Sequence, residues 1–463
     1  MTRQFDVAVI GAGPAGLAAA TEAAQSGLSV ALLDEQQAPG GQIYRGIETA
    51  SAARLKLLGA DYAEGRPLVE KFRASGAEYM PGSLVWNVTI DKVVEFSRDG
   101  ASSRIRADAI IVATGALERP CPLPGWTLPG VTTAGALQIL LKASGIVQED
   151  AVLTGSGPLL WLLASQMVDA GVPPRAIVET VPNGRLLQAL PHLPKALWQR
   201  SYLFKGLSMV RKVRRAGVLI YRNATGVAVE GATFATALNF TAGGKPHRIE
   251  TRTIALHQGV VPNQQVTRLL RCDHVWDSSQ HCFRPVIDAY GATSADGVYV
   301  AGDGAGIGGA KAAAIQGQIV AIGLALRAGR GNGERLAHLH SALAKEASVR
   351  PFLETLYAPA PQILSPADDT LVCRCEEITA GSIREAVRLG APGPNQVKSF
   401  LRAGMGPCQG RVCGLAVSAI IGEERGETPD DVGYYRIRPP LKPLLLSEIA
   451  NFATSDAQEH ATE

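Results

Sequence analysis

The sequence predicts an α/β protein made of two doubly wound nucleotide-binding units followed by a small, mostly helical unit. Two glycine-rich loops indicate the nucleotide-binding units. Each lies between a short apolar strand and a helix, the first at Gly11 and the second at Gly155. A cluster of cysteines indicates the third unit, since four of the seven fall between Cys373 and Cys413. The chain also has 50 glycines, an excess that suits several nucleotide loops.

Composition excludes several classes of protein. With 46% hydrophobic and 19% charged residues, the chain can build sizeable cores and is not disordered. The net charge of +3 predicts no nucleic-acid binding. The longest apolar run, 152–168, is interrupted by glycine and proline, so we expect no membrane span. An odd number of cysteines and the absence of a secretory pattern predict a cytoplasmic protein without disulfides, and peripheral attachment to the inner membrane stays open.

The first glycine loop has the residues that bind a dinucleotide. The strand 5–10 is followed by the motif Gly11-Ala12-Gly13-Pro14-Ala15-Gly16 and by an alanine-rich helix. In such a motif the glycines permit the turn, the approach of a pyrophosphate and close helix packing, and the helix N-terminus offers N–H groups to the phosphates. The next strand ends in an acidic pair, where a carboxylate accepts hydrogen bonds from ribose hydroxyls. We therefore predict a Rossmann-like domain with contacts from Gly11, Gly13, Pro14, Ala15, Gly16, Asp34 and Glu35.

Three further segments indicate which dinucleotide binds. Ala113-Thr114-Gly115 and Gly302-Asp303 each end a buried strand, and Gly40-Gly41-Gln42 forms a loop after the acidic pair. Together with the first motif they resemble the fingerprints of flavoproteins with two dinucleotide-binding domains, such as the pyridine nucleotide–disulfide oxidoreductases and thioredoxin reductases. The resemblance implies FAD, with the carboxylate of Asp303 on the ribityl chain and the following helix directed at the isoalloxazine ring. The further FAD contacts that it implies are Gly41, Gln42, Ala113, Thr114, Gly115, Gly302, Asp303 and Ala310.

The redox-active disulfide of those relatives has no counterpart in the sequence. No Cys-X-X-Cys occurs in the flavoprotein part, which disfavours a disulfide reductase. The isolated Cys121, Cys272 and Cys282 are predicted to be buried packing residues. The histidines show no metal-binding spacing, and we assign no catalytic residue.

The second glycine loop is degenerate. Gly155 and Gly157 are present, but Leu160 replaces the third glycine, and we expect it to push the helix away from the strand or to force a different packing. Glu179 ends the next strand and can bind a ribose. An adenine nucleotide, ATP or NAD, therefore stays open as a ligand, whereas a working NAD(P)H hydride-exchange site is disfavoured.

The cysteine cluster has the spacing of a metal centre. Cys373-X-Cys375 is followed by Cys408-X4-Cys413, and two thiols one residue apart do not readily form a disulfide. Between the pairs, the segment 382–385 is predicted to be a capping box that opens a short helix. A structural zinc ribbon would normally show two Cys-X-X-Cys pairs. The residues around the four cysteines instead resemble the bacterioferritin-associated-ferredoxin-like domain, which implies that Cys373, Cys375, Cys408 and Cys413 bind a [2Fe–2S] cluster.

The order of the units resembles that of one protein family over essentially the full chain. This family contains the A subunits of opine (octopine or nopaline) oxidases, the B subunit of hydrogen cyanide synthase, and the α subunits of proline and hydroxyproline dehydrogenases. The resemblance implies an electron-transfer subunit in a heteromeric amine dehydrogenase, next to a flavoprotein partner like D-amino-acid oxidase. A small third subunit, an FMN at a subunit interface, and a quinone or another electron acceptor stay open. So do two alternatives: a self-contained NAD(P)H-dependent reductase and a non-catalytic scaffold.

The predicted boundaries follow from these motifs. The FAD-binding domain is expected in two parts, with the second nucleotide domain inserted between them. The predicted ranges are 1–118 and 256–330 for the FAD-binding domain, 119–255 for the second nucleotide domain, 331–371 for a connector, 372–425 for the cluster domain and 426–463 for a C-terminal tail.

Overall fold

A computed structural model describes residues 2–450 and 452 of the chain. The strands are β1 (Arg3–Ile10), β2 (Val30–Leu33), β3 (Glu78–Met80), β4 (Leu84–Val88), β5 (Val93–Arg98), β6 (Ala101–Val112), β7 (Ala116–Glu118), β8 (Val131–Thr133), β9 (Val152–Ser156), β10 (Ala176–Glu179), β11 (Leu219–Tyr221), β12 (Thr225–Gly231), β13 (Ala235–Ala242), β14 (Lys245–Glu250), β15 (Ile254–Gln258), β16 (Val260–Pro262), β17 (His274–Asp277), β18 (Cys282–Pro285), β19 (Val298–Val300), β20 (Leu371–Cys373) and β21 (Ile378–Thr379).

The helices alternate with these strands over much of the chain. They are α1 (Pro14–Gln25), α2 (Ala52–Leu58), α3 (Ala60–Ala63), α4 (Gly65–Arg73), α5 (Ala134–Ser144), α6 (Pro158–Asp169), α7 (Arg185–Ala189), α8 (Leu193–Ala196), α9 (Arg200–Arg215), α10 (Gln265–Leu269), α11 (Ala310–Arg327), α12 (Leu336–Ala347), α13 (Arg350–Leu356), α14 (Pro361–Leu364), α15 (Ala380–Arg388), α16 (Pro394–Leu401), α17 (Gly414–Arg425) and α18 (Pro429–Val432). Within the described residues, no helix is long and apolar enough to pass through a bilayer.

The first sheet is the doubly wound sheet that the first glycine loop predicts. Strands β3, β2, β1, β6 and β19 pair in parallel in that order, while β5 and β4 extend β6 in antiparallel fashion. The central strands β1 and β6 are apolar where they run side by side at 7–10 and 109–112, because elements cover both faces there. Helices α1 and α11 pack closely on one face, where a side chain on Gly317 would lie 2.2 Å from the backbone oxygen of Ala15. Small residues therefore let these two helices approach each other.

The second sheet is also parallel, in the order β11-β10-β9-β15-β8, and a three-stranded antiparallel sheet, β12-β13-β14, adjoins it. The chain enters this unit through β7 and leaves it through β16, which pair with each other in antiparallel fashion. The predicted α/β fold with two Rossmann-like units and a small helical unit is confirmed.

The cysteine-containing unit consists of the β20–β21 hairpin and helices α15, α16 and α17. Its core is continuous with that of the first sheet. The predicted capping box at 382–385 is wrong, because α15 begins at Ala380. Its N-cap is Thr379, whose side-chain oxygen accepts a hydrogen bond from the N–H of Ser382 at 3.2 Å. The serine is thus in the first turn rather than at the cap.

The segment after α18 is more ordered than a tail. Tyr434, Tyr435, Ile437 and Leu441 are buried, and the N–H of Leu441 donates to the carbonyl of Trp86 at 2.7 Å. This segment therefore runs from the cysteine-containing unit back to the edge of the first sheet. Residues 451 and 453–463 of the predicted tail lie outside the described residues, as does residue 1 of the first predicted range.

Candidate cofactor sites

The first glycine loop, which we call the cradle, is packed so closely against its neighbours that side chains would not fit. A side chain on Gly11 would lie 2.5 Å from the oxygen of Ala113, and one on Gly16 would lie 1.8 Å from the oxygen of Gly11. Gly11 also has a φ of 107°, which side chains disfavour. Helix α1 begins with Pro14, and no side chain caps its N-terminus. Its first N–H groups are therefore available to a pyrophosphate.

The acidic pair after β2 closes this cradle. The carboxylate of Asp34 accepts hydrogen bonds from the N–H of Ala12 at 2.5 Å and of Gln36 at 2.7 Å. Burial raises the pKa of Asp34, and these hydrogen bonds act in the opposite direction. The neighbouring Glu35 forms an ion pair with Lys442 from the C-terminal segment. The side chains predicted to bind the ribose thus lie where the C-terminal segment meets the first sheet.

The loop 40–42 packs directly on the glycine loop. A side chain on Gly41 would lie 2.8 Å from the Cα of Gly13. The carbonyl of Gln42 accepts a hydrogen bond at 3.2 Å from the buried ammonium of Lys142, which also donates to Gln138 at 2.8 Å. Burial lowers the pKa of Lys142 to about 7. This lysine was not predicted from the sequence, because nothing in α5 marks it as a neighbour of a loop 100 residues earlier.

The two later strand ends complete the cradle. Gly302 lies against Ala15, since a side chain on the glycine would be 2.7 Å from the Cβ of that alanine. The Oδ1 atom of Asp303 accepts hydrogen bonds from the N–H groups of Gly308 and Gly309, both at 2.8 Å, immediately before Ala310 opens α11. None of the described residues hydrogen-bonds to the other carboxylate oxygen of Asp303.

The segment 113–115 lies beside the first glycine loop and is hydrogen-bonded to Asn263. The hydroxyl of Thr114 donates to the carbonyl of Asn263 at 3.1 Å, and the carbonyl of Gly115 accepts from the N–H of Asn263 at 2.9 Å. The structure therefore brings the predicted FAD-binding segments together around the N-terminus of α1. A narrow cradle lined by glycines, by free N–H groups and by the carboxylate of Asp303, of which one oxygen is hydrogen-bonded, fits the phosphates and sugars of FAD.

The leucine of the second glycine loop lies in a hydrophobic core. Leu160 is completely buried, among the residues between α6 and the second sheet. Gly155 and Gly157 keep positive φ values, 133° and 124°, and a side chain on Gly155 would lie 1.7 Å from the carbonyl oxygen of His257. Both glycines therefore adopt backbone conformations that favour glycine.

The connector lies over this second loop. The hydroxyl of Ser156 donates to the carbonyl of Tyr357 at 3.5 Å, and the side-chain oxygen of Gln258 accepts from the N–H of Ala360 at 3.1 Å. Beside these contacts is a cavity of about 410 Å³ lined by both glycine-loop and connector residues. Glu179 at the end of β10 is 3.8 Å from Arg222, and burial raises the pKa of its carboxyl. The connector was predicted only as a link between domains, so this role is new.

The four clustered cysteines interact in two pairs. Cys373 and Cys413 are buried and share a hydrogen bond, which lowers the pKa of Cys373 to about 5 and raises that of Cys413. Cys375 and Cys408 form the second, half-buried pair. Among the described residues, no three histidine, cysteine or acidic side chains converge as they would on a single ion. Two pairs of thiols fit a two-iron cluster, in which each iron has two protein ligands.

The loops around the cysteines share features with iron–sulfur sites. The N–H groups of Gly404 and Glu376 hydrogen-bond to the sulfur of Cys373, as N–H groups do in iron–sulfur sites. A side chain on Gly406 would lie 2.3 Å from the Cβ of Cys375, so this position requires glycine.

Two tyrosines from the C-terminal segment complete the cysteine site. The ring of Tyr435 lies on Gly404 and Gly410, where added side chains would approach it within 2.8 and 2.6 Å, and its hydroxyl is 4.0 Å from the sulfur of Cys413. The ring of Tyr434 lies on Gly414 in the same way. Neither tyrosine was assigned a role from the sequence. The aromatic doublet shortly before Arg438-Pro439-Pro440 is a signal that could have indicated one.

The isolated cysteines and the interior histidines have ordinary partners. Cys121, Cys272 and Cys282 are buried, as predicted, and burial raises the pKa of Cys282 to about 12. His257 contacts the carboxylate of Glu118 through Nδ1 at 2.6 Å.

Comparisons with known proteins agree with the two sites. Residues 5–317 match the pyridine nucleotide-disulphide oxidoreductase family, and residues 371–423 match the BFD-like [2Fe-2S] binding domain. These matches define the class of protein, an oxidoreductase, and imply FAD and a [2Fe–2S] cluster.

The similar proteins define the family more closely. The chain is 43% identical to the opine oxidase A subunit of Rhizobium meliloti (strain 1021) over 96% of this chain and 98% of that protein. It is 44% identical to the opine oxidase A subunit of Agrobacterium tumefaciens (strain Ach5), over 96% and 92%. Hydrogen cyanide synthase subunit HcnB of Pseudomonas aeruginosa is 31% identical, over 96% and 98%. The chain therefore belongs to the family of opine oxidase A subunits, which act as oxidoreductase subunits of complexes.

A solved structure shares the fold over nearly the whole chain. L-proline dehydrogenase from P. horikoshii superposes with a TM-score of 0.72 at 18% identity, covering 97% of this chain and 80% of that one. Thioredoxin reductase from T. acidophilum, with a TM-score of 0.50 at 20% identity, covers 70% of this chain and 99% of that one. At these identities the similarity concerns the fold.

Proposed function

We propose that this chain is the electron-transfer subunit of a heteromeric dehydrogenase that oxidises opines or related amino acids at a CH–NH bond. Its partner, which is a flavoprotein like D-amino-acid oxidase, oxidises the substrate, and this chain accepts the electrons through FAD and passes them to a [2Fe–2S] cluster. The names of the opine oxidase relatives support the substrate class.

One observation carries this proposal: residues that adjoin the flavin cradle share one hydrophobic core with the cysteine site. Ile10 and Val112, at the ends of β1 and β6, belong to the same buried cluster as Cys373 and Cys413. Continuous packing therefore joins the two sites, which suits electron transfer between them. FAD, when bound, exchanges two-electron for one-electron chemistry. A scaffold with isolated structural cofactors would not need this continuity, so the shared core counts against that alternative.

The residues that we propose for the two cofactors are those predicted from the sequence, and the geometry supports several of them. We assign to FAD the residues Gly11, Gly13, Pro14, Ala15, Gly16, Asp34, Glu35, Gly41, Gln42, Ala113, Thr114, Gly115, Gly302, Asp303 and Ala310. We assign to the cluster Cys373, Cys375, Cys408 and Cys413.

We assign the second glycine loop to an adenine nucleotide, ATP or NAD, held by Gly155, Gly157 and Glu179. Of these three residues, Gly155 lines the adjoining cavity. The contact between Ser156 and Tyr357 supports a bound nucleotide without hydride exchange, because the connector lies against the loop. The alternative of an NAD(P)H-dependent reductase is favoured by Glu179 and the two glycines, and disfavoured by Leu160 and the connector.

The remaining components belong to the complex. A small third subunit, an FMN at a subunit interface and a quinone as electron acceptor extend the proposal, as does a cytoplasmic location with contact to the inner membrane.

Anaerobic reduction of the co-purified complex tests the proposal. An opine substrate should bleach the flavin absorbance and then produce the electron paramagnetic resonance signal of a reduced cluster. Cys375→Ser should abolish the cluster signal and leave flavin bleaching intact. Cys272→Ser, at a buried cysteine outside the site, is the matched control and should retain both signals. Bleaching by NADH or NADPH within the mixing time, or opine oxidation by the isolated chain, would contradict the proposal.

A further inference from the structure

The segment 182–216 differs in charge from the rest of the chain. It contains eight of the 45 lysines and arginines and none of the 42 acidic residues. The remainder of the chain therefore has 37 basic and 42 acidic residues, a net charge of −5. A chain that is slightly acidic elsewhere concentrates its positive charge in one segment.

The same segment also concentrates exposed apolar side chains. It forms α7, α8, α9 and the short 3-10 turns between them. Trp198 is 70% exposed, Leu187 71% and Phe204 65%. The other large apolar side chains that point outward from the segment are Leu186, Leu190, Leu197 and Leu207. We call the outward side chains of 182–216 the basic–apolar surface.

The segment is nevertheless firmly attached to the molecule. Ala189 and Ala196 are completely buried against Val349 and Phe352 of the connector region. The hydroxyl of Tyr202 donates to Glu346 at 2.8 Å. The exposed side chains therefore lie on the outer face of a folded element. An apolar surface of this kind, rimmed by charge, marks an interaction site.

Most of the cations on this surface are available to a ligand. Lys205 pairs with Asp61, and Lys212 pairs with Asp169 at 2.6 Å. Among the described residues, no carboxylate forms an ion pair with the exposed Lys195, Arg200, Arg211 and Arg215. These four cations are therefore free to bind an anionic partner.

We propose that the basic–apolar surface binds the face of an anionic lipid bilayer. Helices that lie in a membrane interface combine Trp, Phe and Leu with Lys and Arg and lack acidic residues on that face, as this segment does. Anionic headgroups would neutralise the unpaired cations, and Trp198 and Phe204 would enter the boundary between headgroups and acyl chains. Eight basic and no acidic residues in one segment favour a uniformly anionic partner such as a lipid bilayer. This inference rests on the proposed function in one respect: the proposed function includes a quinone, which resides in the membrane, as electron acceptor.

Vesicle sedimentation of the complex, co-purified with its partner, tests the inference. We expect binding to vesicles rich in phosphatidylglycerol, weakening as salt is raised, and little binding to pure phosphatidylcholine. W198S/F204S and R211E/R215E should each reduce the apparent affinity by about tenfold or more. I90S/L389S removes two equally exposed apolar side chains outside the segment and should bind like the unmodified complex. Flavin content and thermal midpoint should be unchanged in all variants.

Three results would overturn the inference: no binding to anionic vesicles at low salt, unchanged binding of W198S/F204S, or release of the partner subunit by that variant. The last result would assign the surface to a protein interface. Opine reduction of flavin and cluster is measured in the same samples. If opine still reduces the flavin and the cluster but the complex does not bind vesicles, the membrane inference alone fails. If the complex binds vesicles but opine does not reduce its cofactors, the proposed function fails.

Discussion

At the scale of single residues, Gly16 is the position at which the FAD cradle tolerates change least. An added Cβ would lie 1.8 Å from the oxygen of Gly11 and would force α1 away from β1. We expect Gly16→Ala to destabilise the protein by about 3 kcal/mol and to yield protein with little FAD, measured by flavin absorbance per chain after purification. Gly206→Ala in α9, where an added Cβ has nothing within 4 Å, is the control and should keep its FAD. A Gly16→Ala protein with full FAD content would contradict the assignment.

His274 predicts a dependence of stability on pH. Burial, with the neighbouring Arg268, lowers the pKa of His274 to about 3, and the ring is satisfied in its neutral form by Thr267 at 2.9 Å and by the carbonyl of Cys272 at 2.7 Å. Unfolded histidine has a pKa of about 6.5. Below that pH the unfolded chain binds a proton that the folded chain does not, so the free energy of unfolding falls by about 1.4 kcal/mol per pH unit as the pH drops towards 3.

His274→Gln should remove this contribution. We expect the thermal midpoint to fall less between pH 7 and pH 5.5 in His274→Gln than in the unmodified protein, with flavin release followed by fluorescence. His192→Gln, at an exposed histidine, serves as the control and should follow the unmodified protein. Equal pH slopes in all three proteins would show that His274 does not set this dependence.

At the scale of elements, the C-terminal segment is predicted to stabilise the cluster site. The ring of Tyr435 is almost completely buried on Gly404 and Gly410. Tyr435→Ala should therefore cost about 3–5 kcal/mol and should cause loss of the cluster, seen in visible absorbance and circular dichroism. Tyr435→Phe keeps the ring and should keep the cluster. If the cluster is equally stable in both variants, the segment has no such role.

Sequence pattern predicted the elements whose causes are local. The strand–loop–helix units at Gly11 and Gly155 could be predicted because glycine spacing and apolar runs determine them over a few residues. The contacts of Tyr435 with the cysteine loop, of Lys142 with Gln42, and of the connector with the second loop join residues far apart in the chain. No local pattern specifies such contacts. The capping box failed for another reason: two candidate caps, Thr379 and Ser382, stand three residues apart, and packing of Ala380 and Ile383 decides between them.

At the scale of the whole molecule, the shared core predicts that the FAD sheet and the cysteine unit unfold together. Phe283 of β18 lies at their junction. Its ring is 5.1 Å from that of Trp276 and 5.8 Å from that of Tyr434, and the guanidinium of Arg268 is within 4.8 Å of both Phe283 and Tyr434. Phe283→Ala removes the side chain that both units contact. It should cost about 3–5 kcal/mol.

Thermal unfolding followed by flavin fluorescence and by cluster absorbance distinguishes a shared core from two independent ones. In Phe283→Ala both signals should change at the same, lowered temperature. Trp161→Ala is the matched control, because Trp161 is buried in the separate core between α6 and the second sheet. There we expect an early loss of structure, seen in far-ultraviolet circular dichroism, while the cluster remains until a higher temperature. If Phe283→Ala released the cluster at a lower temperature than FAD, the two units would be independent, and the packing continuity that supports electron transfer would lose its significance.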